Sequence, residues 1–514
     1  MIEVTAHSSL RAFLRSQGNI DLWPHHLTMT RLVARALRIR RSALIQTGVF
    51  SPRLQAAYRL SYLFPALLWE GSTVIAVPAH FHSQLLEEEI PQIQKWLSTS
   101  KEIWSDRPTP GEPPREGFQG LWLTSPTQWL ADKLHGLQRI PAGIPAIIDG
   151  ADDLESGARQ QLTVALQPRD WEELTNTFPD LAETILNTRV KLAKIIFAHP
   201  ANPYECYLLD ALEQEILSRL YENFGYRRDN QESRRLPLPH AWDNFWQQWQ
   251  QSGQLVWTAI FRPQGQFTLY CAPVEVSTAL SPIWPQQPVV LIGGVVDLDT
   301  QAFACRQQLG LGDLTSLKFA SDRQSELIQL YLPERLPMPN TPQFQEALIQ
   351  QIYTLIRSSL PTSVVILVGD VPLKAQVGAA LAAEFGSRVQ VEKMSADAAS
   401  ILVAGWEFWQ SHQSSLPMPQ LLIIATLPIP SLEDPLVAGR VAYYKKLRKD
   451  WFRLYLLPVA LRELQRAIAP MRECQGLVAI LDSRVHHRSY GQQVLAALSP
   501  LARINYLAQY SSVN

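Results

Sequence analysis

Four short apolar runs in the second half of the chain constrain its fold more than any other feature. They are continuous rather than alternating, which is typical of strands buried on both faces, and helix-length segments separate them. This order predicts a parallel sheet with crossover helices on both sides. The runs are VVILVGD (364–370), SILVAG (400–405), LLIIATLP (421–428) and LVAILD (477–482).

The first half shows the same alternation of strand and helix, interrupted by a different pattern. Residues 42–46, 73–77 and 144–149 are further buried runs, and a fourth spans 288–296. Between about 156 and 250 the apolar residues follow helical spacing. Two strand-like runs then flank a Pro-Gln-Gly turn at 263–265, which predicts a β-hairpin.

These patterns predict an α/β protein with two parallel-sheet lobes. A chain of 514 residues is also too long for one hydrophobic core. The insertion in the first lobe is expected to be mainly helical and to end in the hairpin. The expected domains are residues 1–155 with about 275–305 for the first lobe, 156–274 for the insertion and 306–514 for the second lobe.

Composition limits the kinds of partner. The formal net charge is -1, so no global field attracts a phosphate backbone and any nucleic-acid site has to be a local patch. The four cysteines lie far apart without a C-x-x-C pair, which favours buried thiols in a reducing compartment over a metal or redox site. With no signal-peptide-like start and no long apolar run, we expect a cytoplasmic protein without a membrane partner.

The order of the segments resembles that of DinG/XPD-type superfamily 2 helicases from about residue 20 to residue 500. The most specific stretch is ILVAGWEFWQSHQSSLPMPQLLIIATLPIPSLEDPL, which is similar to the family's motif V block. The residues that carry the likeness are Phe408, Trp409, Asp434 and Pro435, followed near the end by Asp482, Arg484, Tyr490 and Gly491. The resemblance implies two RecA-like domains of the P-loop NTPase helicase fold, with an arch-like insertion in the first.

The nucleotide-binding loop of the family has no clear counterpart. A P-loop needs glycines that let backbone N–H groups approach the phosphates, a lysine on the phosphates and a hydroxyl on magnesium. The matching segment is TGVFSPRLQAAYRLSYLFP, where Gly48 is the only glycine. The resemblance to the family aligns Tyr58 with the P-loop lysine and Arg59 with the serine or threonine whose hydroxyl binds magnesium.

The strand that resembles Walker B ends in IIDGADDLE. On this resemblance, Asp149 occupies the position of the family's magnesium-binding aspartate. Gly150 replaces the glutamate that acts as general base, and general-base catalysis contributes roughly 10²- to 10⁴-fold in rate. Asp152 and Asp153 follow; either is a substitute base in principle, but we expect both to cap the next helix. No metal is expected unless Mg-ATP binds at Asp149, and no other cofactor is indicated.

Motifs III and VI are altered as well. Motif III, Ser-Ala-Thr in the family, is Gly293-Gly294-Val295 here. In motif VI Gln465 and Arg472 persist, but Ala469 takes the place of the first arginine. Losing an arginine finger costs about 10³- to 10⁵-fold in phosphoryl transfer. The family's iron-sulphur cluster is not expected, because residues 60–148 contain no cysteine.

We therefore predict a helicase-fold pseudoenzyme that binds single-stranded nucleic acid or a protein partner without hydrolysing ATP. Two basic segments could attract phosphates, 31–41 and 444–453, the second with Lys445, Lys446, Arg448 and Lys449 among aromatic residues. The alternative for each is a solvated helix face. A stripe of Trp242, Trp246 and Trp249 suits base stacking but suits core packing better.

Two other functions remain open at this point. One is an ATP-dependent 5'-to-3' DNA helicase, which the resemblance implies if the motifs work. The other is a protein-interaction subunit without nucleic acid, which the near-zero net charge favours. The sequence does not indicate the oligomeric state.

Overall fold

The computed structural model describes residues 1–18, 23–48, 52–105, 119–229, 237–294, 296–319, 327–358, 363–394 and 399–504, with backbone alone at 52–57 and 225–229. Three sheets organise these residues. The strands in chain order are β1 Ala43–Gln46, β2 Thr73–Ala76, β3 Glu102–Ser105, β4 Gly120–Thr124, β5 Ala146–Asp149, β6 Val164–Leu166, β7 Cys206–Leu208, β8 Gln254–Phe261, β9 Gln266–Pro273, β10 Val289–Gly293, β11 Thr315–Lys318, β12 Ile328–Tyr331, β13 Val364–Leu367, β14 Val389–Val391, β15 Ile401–Ala404, β16 Leu421–Ile424, β17 Leu477–Ile480 and β18 Leu501–Ile504.

The first lobe is built on a parallel sheet in the order β11-β1-β10-β5-β2-β4-β3. Successive side chains of its central strands enter opposite cores, as Leu44 does on one face and Ile45 on the other. Burial on both faces explains why these strands are continuous apolar runs. Its longer helices are Ile2–Gln17, His26–Ile39, Pro52–Leu68, Ile90–Leu97, Pro126–Leu134, Leu154–Gln161 and Phe303–Leu309.

The second lobe repeats the architecture. Its parallel sheet has the order β14-β15-β13-β16-β17-β12-β18, again with one hydrophobic core on each face. The sequence prediction of two parallel-sheet lobes is therefore confirmed. The longer helices are Phe344–Ser358, Val371–Phe385, Trp406–His412, Pro435–Lys446, Leu457–Ala467 and Gly491–Leu498.

The insertion is a layer of helices on a four-stranded antiparallel sheet in the order β6-β9-β8-β7. The predicted hairpin is confirmed as β8 and β9, with Trp257 directly opposite Tyr270. The insertion contains more β-structure than the helical segment with a terminal hairpin that the sequence predicts, because β6 and β7 extend the sheet on both sides of the hairpin. Its helices are Pro168–Thr177, Ala182–Ala198, Ala211–Asp229 and His240–Trp249.

Two of the expected boundaries do not coincide with these units. The helix Leu154–Gln161 packs through Leu154 and Ala158 into the core of the first lobe, so a boundary at 155 cuts it. Strand β11 belongs to the first sheet, although the sequence pattern predicts that the second lobe begins at residue 306. The sequence Thr-Ser-Leu-Lys gives little indication of a strand, because an edge strand needs no continuous apolar run. Within the described ranges, no helix combines the length and apolar character needed to cross a membrane.

Candidate functional site

Asp149, at the carboxyl end of β5, is held by two tyrosines of the helix Pro52–Leu68. The Tyr58 hydroxyl donates a hydrogen bond to Oδ1 at 2.7 Å, and the Tyr62 hydroxyl donates to Oδ2 at 2.9 Å. Residues four apart lie on the same helix face, so both phenols reach one carboxylate. All three side chains are buried. Each carboxylate oxygen therefore already has a donor from the protein itself.

Burial also controls the ionisation of this cluster. It raises the pKa of the Asp149 carboxyl to about 6, although the hydrogen bonds from Tyr58 and Tyr62 act in the opposite direction. Burial and the neighbouring Asp149 charge raise the pKa of the Tyr58 phenol well above its ordinary value, and the pKa of Tyr62 rises for the same reasons. The phenols consequently stay protonated and act as donors at neutral pH.

Arg59, next to Tyr58 on the same helix, has an ion-pair partner of its own. Its side chain is fully buried, its Nη2 lies 2.8 Å from Oε1 of Glu89, and its guanidinium is centred 4.2 Å from the Phe81 ring. A buried arginine of this kind depends on its carboxylate, because the loss of one partner leaves an uncompensated charge. Arg59 is thus part of the packing between Pro52–Leu68 and the segment that follows β2.

The loop after β5 is shaped by glycines and by Asp152. Gly150 has a φ of +96°, a conformation that strains any side chain there. Asp152 Oδ2 accepts a hydrogen bond of 2.8 Å from the backbone N–H of Gly294. A Cβ on Gly293 would lie only 2.7 Å from the same oxygen, so this position of the motif III segment has to be glycine. Val295, the third residue of that segment, lies outside the described residues.

The predicted caps at Asp152 and Asp153 are wrong. Asp153 occupies the N-cap position of Leu154–Gln161, but its side chain makes no capping hydrogen bond. It pairs instead with Arg466 of the second lobe, at 2.6 Å. Asp152 binds a backbone N–H and Asp153 binds a guanidinium. These donors compete with the N–H groups of the helix N-terminus for the carboxylate oxygens.

Direct contacts join the two lobes across the cleft. Arg462 and Arg466 are four residues apart on the helix Leu457–Ala467 and both reach the loop after β5. Arg462 Nη1 donates to the backbone oxygen of Asp152 at 2.9 Å. Three further contacts are Arg440 to Glu155 at 3.0 Å, Lys449 to Glu275 at 2.7 Å and Gln308 Nε2 to the backbone oxygen of Leu454 at 2.9 Å.

Glu155 is shared by two guanidiniums at one of these contacts. It pairs with Arg159 of its own helix and with Arg440, whose guanidinium lies 3.9 Å from the centroid of Tyr455. Arg159 also donates to the backbone oxygen of Val274, directly after β9. Although burial acts to raise it, the two guanidiniums hold the pKa of the Glu155 carboxyl below its ordinary value. One carboxylate therefore links the first lobe, the end of the insertion and the second lobe.

The two motif VI residues kept from the family make contacts within the second lobe. Gln465 Nε2 donates to the backbone oxygen of Ala497 at 3.2 Å, and Arg472 Nη2 donates to the backbone oxygens of Leu498 and Ser499 at 2.9 and 3.0 Å. Both bind the carboxyl end of the helix Gly491–Leu498. Ala469 is buried at the start of a short helix. The arginines of the helix Leu457–Ala467 that contact the first lobe are Arg462 and Arg466, which the sequence reasoning missed.

Other residues that carry the family resemblance have structural roles here. Asp434 caps the helix Pro435–Lys446 by accepting from the Leu436 N–H, with Pro435 at the first helical position. The buried Asp482 accepts from the Leu427 N–H and pairs with Arg484 at 2.6 Å, which ties β17 to the segment after β16. Trp409 is fully buried.

In the basic segment 444–453 some cations are paired with carboxylates and others are exposed. Lys449 is engaged by Glu275, whereas Lys445, Lys446 and Arg448 are exposed at the carboxyl end of Pro435–Lys446. In the other basic segment Arg38 pairs with Glu3 and Arg41 with Asp313. The tryptophan stripe is core: Trp242 and Trp246 are buried with Phe245 in the insertion, and Trp249 packs against them.

An open groove of about 1000 Å³ lies at the carboxyl ends of β2, β4 and β5. Its described lining is mainly hydroxyl, amide and small side chains and contains neither lysine nor arginine. Ser125, which caps the helix Pro126–Leu134 together with Gln128, and His82 lie along it. The groove therefore lacks the positive charge that would hold a phosphate backbone.

Sequence reasoning identified Asp149 and Tyr58 but missed Tyr62, Arg462, Arg466 and Glu155. Tyr62 was detectable, because it lies one helical turn after Tyr58. The interlobe ion pairs join residues far apart in the chain, and no local pattern indicates them. Within the described residues, no three His, Cys, Asp or Glu side chains come together in a way that would hold a metal ion.

Residues 346–501 match the protein family described as the helicase C-terminal domain. The chain is 30% identical over 113 residues to the ATP-dependent DNA helicase YoaA of Escherichia coli (strain K12). It is 32% identical over 113 residues to the ATP-dependent helicase DinG of Mycobacterium tuberculosis (strain ATCC 25618 / H37Rv). These segments span 21% of this chain but only 18% and 17% of the two relatives.

Solved structures support the fold along almost the whole chain. An XPD helicase structure aligns with a TM-score of 0.60 at 11% identity and covers 94% of this chain and 99% of that one. The structure of Xpd4 from S. tokodaii aligns with a TM-score of 0.58 at 12% identity and covers 94% and 100%. The fold predicted from the sequence, two RecA-like lobes, is confirmed by these alignments.

Proposed function

We propose that this chain, which belongs to the DinG/XPD-type helicase family, keeps the helicase fold as a scaffold that binds single-stranded nucleic acid and does not hydrolyse ATP. The observation that carries the proposal is the occupied carboxylate of Asp149. Both of its oxygens accept hydrogen bonds from buried tyrosines. The buried phenols also fill the space beside these oxygens that a magnesium ion with its water ligands would need.

The other groups that a triphosphate needs do not compensate. Arg59 is committed to Glu89, and Gly150 supplies no base. Gln465 and Arg472 donate hydrogen bonds to the carboxyl end of the helix Gly491–Leu498. The arrangement therefore does not fit Mg-ATP, and no catalytic step is assigned to it.

The contacts across the cleft favour the same proposal. In an active two-lobe ATPase, nucleotide bound between the lobes would provide the differential contacts that close them. Here Arg462 and Arg466 contact the loop after β5 directly. Ion pairs within one chain thus take over the role of holding the lobes together. Direct contacts of this kind suit a fixed scaffold better than a motor whose lobes must separate and close.

Nucleic acid is favoured as the partner because the relatives carry helicase names and because Lys445, Lys446 and Arg448 form an exposed basic group. A protein-interaction subunit without nucleic acid is the competing function, and the net charge of -1 favours it. The two functions make different predictions for the binding of a labelled single-stranded oligonucleotide.

Titration calorimetry with Mg-ATP and turnover assays with and without single-stranded DNA test the proposal. We expect no heat of nucleotide binding and no turnover above background, but binding of a labelled oligonucleotide that weakens as salt is raised. Tight ATP binding with DNA-stimulated turnover would show an active helicase and would sink the proposal. Absence of strand binding at low salt would favour the protein-interaction subunit.

The substitution Asp149→Asn gives a prediction specific to the tyrosine cluster. The amide can accept from one phenol and donate to the other, so the cluster stays paired. Because the pKa of Asp149 is raised to about 6 in the folded protein, wild-type protein loses stability as the pH rises through that value. The stability of the variant relative to wild type should therefore increase from pH 4 to pH 7, by up to about 3 kcal/mol.

Urea unfolding at several pH values measures this difference. The control is Asp313→Asn, at a surface carboxylate that is 85% exposed, which should give a curve parallel to that of wild type. If Asp149→Asn also gives a parallel curve, Asp149 does not sit in the sealed environment described above.

A further inference from the structure

The antiparallel sheet of the insertion has two different faces. Alternate residues of β8 and β9 point into the core beneath its helices, including Val256, Ile260 and Leu269. The residues between them form the outer face, where Trp257 and Tyr270 lie on the two central strands and are only partly buried. This outer face is separate from the cleft around Asp149.

The two rings form a parallel pair. Trp257 and Tyr270 are directly opposite in the register, with ring centroids 5.3 Å apart and planes within 13° of each other. Within the described part of the chain, neither the Trp257 indole N–H nor the Tyr270 hydroxyl makes a hydrogen bond to the protein. Polar groups of aromatic rings in a packed core usually find such a partner. The pair thus offers both a π face and free polar groups.

The residues next to Trp257 and Tyr270 on the two outer strands determine which ring face is accessible to a ligand. Leu208 of β7 is opposite Trp257, and Ala165 of β6 is opposite Tyr270. On the Leu208 side the helix Pro435–Lys446 covers the sheet, since a Cβ on Gly439 would lie 3.0 Å from Leu208 and 2.9 Å from Leu255. On the other side the small side chain of Ala165 leaves room beside the Tyr270 ring.

The covering helix also brings positive charge to this face. Its Tyr443 lies against Gly253, where a Cβ would be 3.1 Å from the tyrosine hydroxyl. Lys445, Lys446 and Arg448 follow directly and are exposed. Gly253 precedes Trp257 by four residues, which corresponds to about 13 Å along an extended strand. The helix end that carries these cations therefore lies beside the start of the strand that carries Trp257.

We propose that this surface binds single-stranded nucleic acid, with a base stacked on the free face of Tyr270 above Ala165 and the phosphates near Lys445, Lys446 and Arg448. Stacking on aromatic side chains beside a cationic track is how sequence-tolerant single-strand sites work. The assignment rests on the proposed function and gives it a location. It places the nucleic acid on the insertion, away from the groove at the carboxyl ends of β2, β4 and β5.

Fluorescence anisotropy of the full chain with labelled oligo-dT tests the site. Tyr270→Ala should weaken binding about 5- to 150-fold, since stacking contributes about 1–3 kcal/mol per base. Tyr270→Phe keeps the ring and should restore most of the affinity. Ala165→Leu removes no contact but fills the space beside the ring, and it should weaken binding to a similar extent as Tyr270→Ala.

The cations are tested by salt dependence. A double variant Lys445→Gln/Lys446→Gln should lower the slope of log affinity against log salt by about 1.4. Phe303→Ala is the matched control, because Phe303 is a ring on the first lobe that is 69% exposed, and it should leave binding unchanged. Circular dichroism and thermal unfolding check that each variant folds.

The outcomes separate this site from the proposed function. Wild-type affinity in both Tyr270→Ala and Ala165→Leu would overturn the site, and so would the absence of oligo-dT binding at any salt concentration. If Tyr270→Ala does not fold, Ala165→Leu and Tyr270→Phe still decide the question. ATP turnover would refute the proposed function alone, because the effect of the Tyr270 and Ala165 variants on the affinity for oligo-dT is measured without nucleotide.

Discussion

Replacing Tyr58 by lysine and Arg59 by threonine, the residue types that the helicase family has at these positions, is expected to destabilise the first lobe by about 3–5 kcal/mol without producing ATP hydrolysis. The threonine leaves Glu89 without its buried partner and empties the space against Phe81. The lysine replaces a phenol that donates to Asp149. Tyr58 and Arg59 are both buried and paired, so replacing them removes contacts on which the packing of this helix depends.

Denaturant unfolding and a turnover assay with the double variant measure both parts of this prediction. Tyr58→Phe removes only one hydrogen bond and should cost about 1–3 kcal/mol. Arg41→Thr is a control at an exposed arginine that pairs with Asp313, and it should change stability by less than about 1 kcal/mol. A double variant that is as stable as wild type and binds Mg-ATP would mean that the site is still a nucleotide site.

Glu155→Gln is expected to loosen the contact between the lobes and to lower stability by about 3–5 kcal/mol. The carboxylate is the shared partner of Arg159 and Arg440, and its loss leaves two guanidiniums close together in a largely buried place. Because the pKa of Glu155 is lowered in the folded protein, its contribution is present above the ordinary glutamate pKa and is lost as the pH falls through the folded value. The stability of Glu155→Gln should therefore fall less steeply than that of wild type as the pH is lowered through the folded pKa of Glu155.

Hydrogen exchange of the helices Leu154–Gln161 and Pro435–Lys446 reports on this interface, and small-angle scattering reports on the separation of the lobes. Glu215→Gln is the control, since Glu215 pairs with Arg219 on an exposed helix face and should contribute only a few tenths of a kcal/mol. Unchanged protection of both helices in Glu155→Gln would show that the carboxylate does not hold the lobes together.

The sequence predicted the central strands well because they are buried on both faces and have to be apolar throughout. Residues 364–367 and 421–424 are examples, each buried at every position. The edge strands β3 and β11 did not give that signal. Glu102–Ser105 and Thr315–Lys318 are partly exposed, so polar residues are tolerated and the pattern resembles a loop.

The candidate site was only partly predictable for a different reason. Asp149 follows a buried strand, and Tyr58 follows from alignment to a motif, so both depend on local sequence. Arg466 and Asp153 are 313 residues apart in the chain, and no short-range pattern shows that they meet. Asp153 was expected to cap a helix because the sequence shows the nearby N-terminus but not the guanidinium on the other lobe.

The close packing at Gly439 has a mechanical consequence. This glycine lets the helix Pro435–Lys446 of the second lobe lie directly on Leu208 and Leu255 of the insertion, which is itself covalently part of the first lobe. The polypeptide therefore forms a closed loop of contacts: lobe to lobe, lobe to insertion, and insertion back to the first lobe. A swing of one lobe would have to separate two interfaces at the same moment, so the three units are expected to tumble and respond to force as a single object.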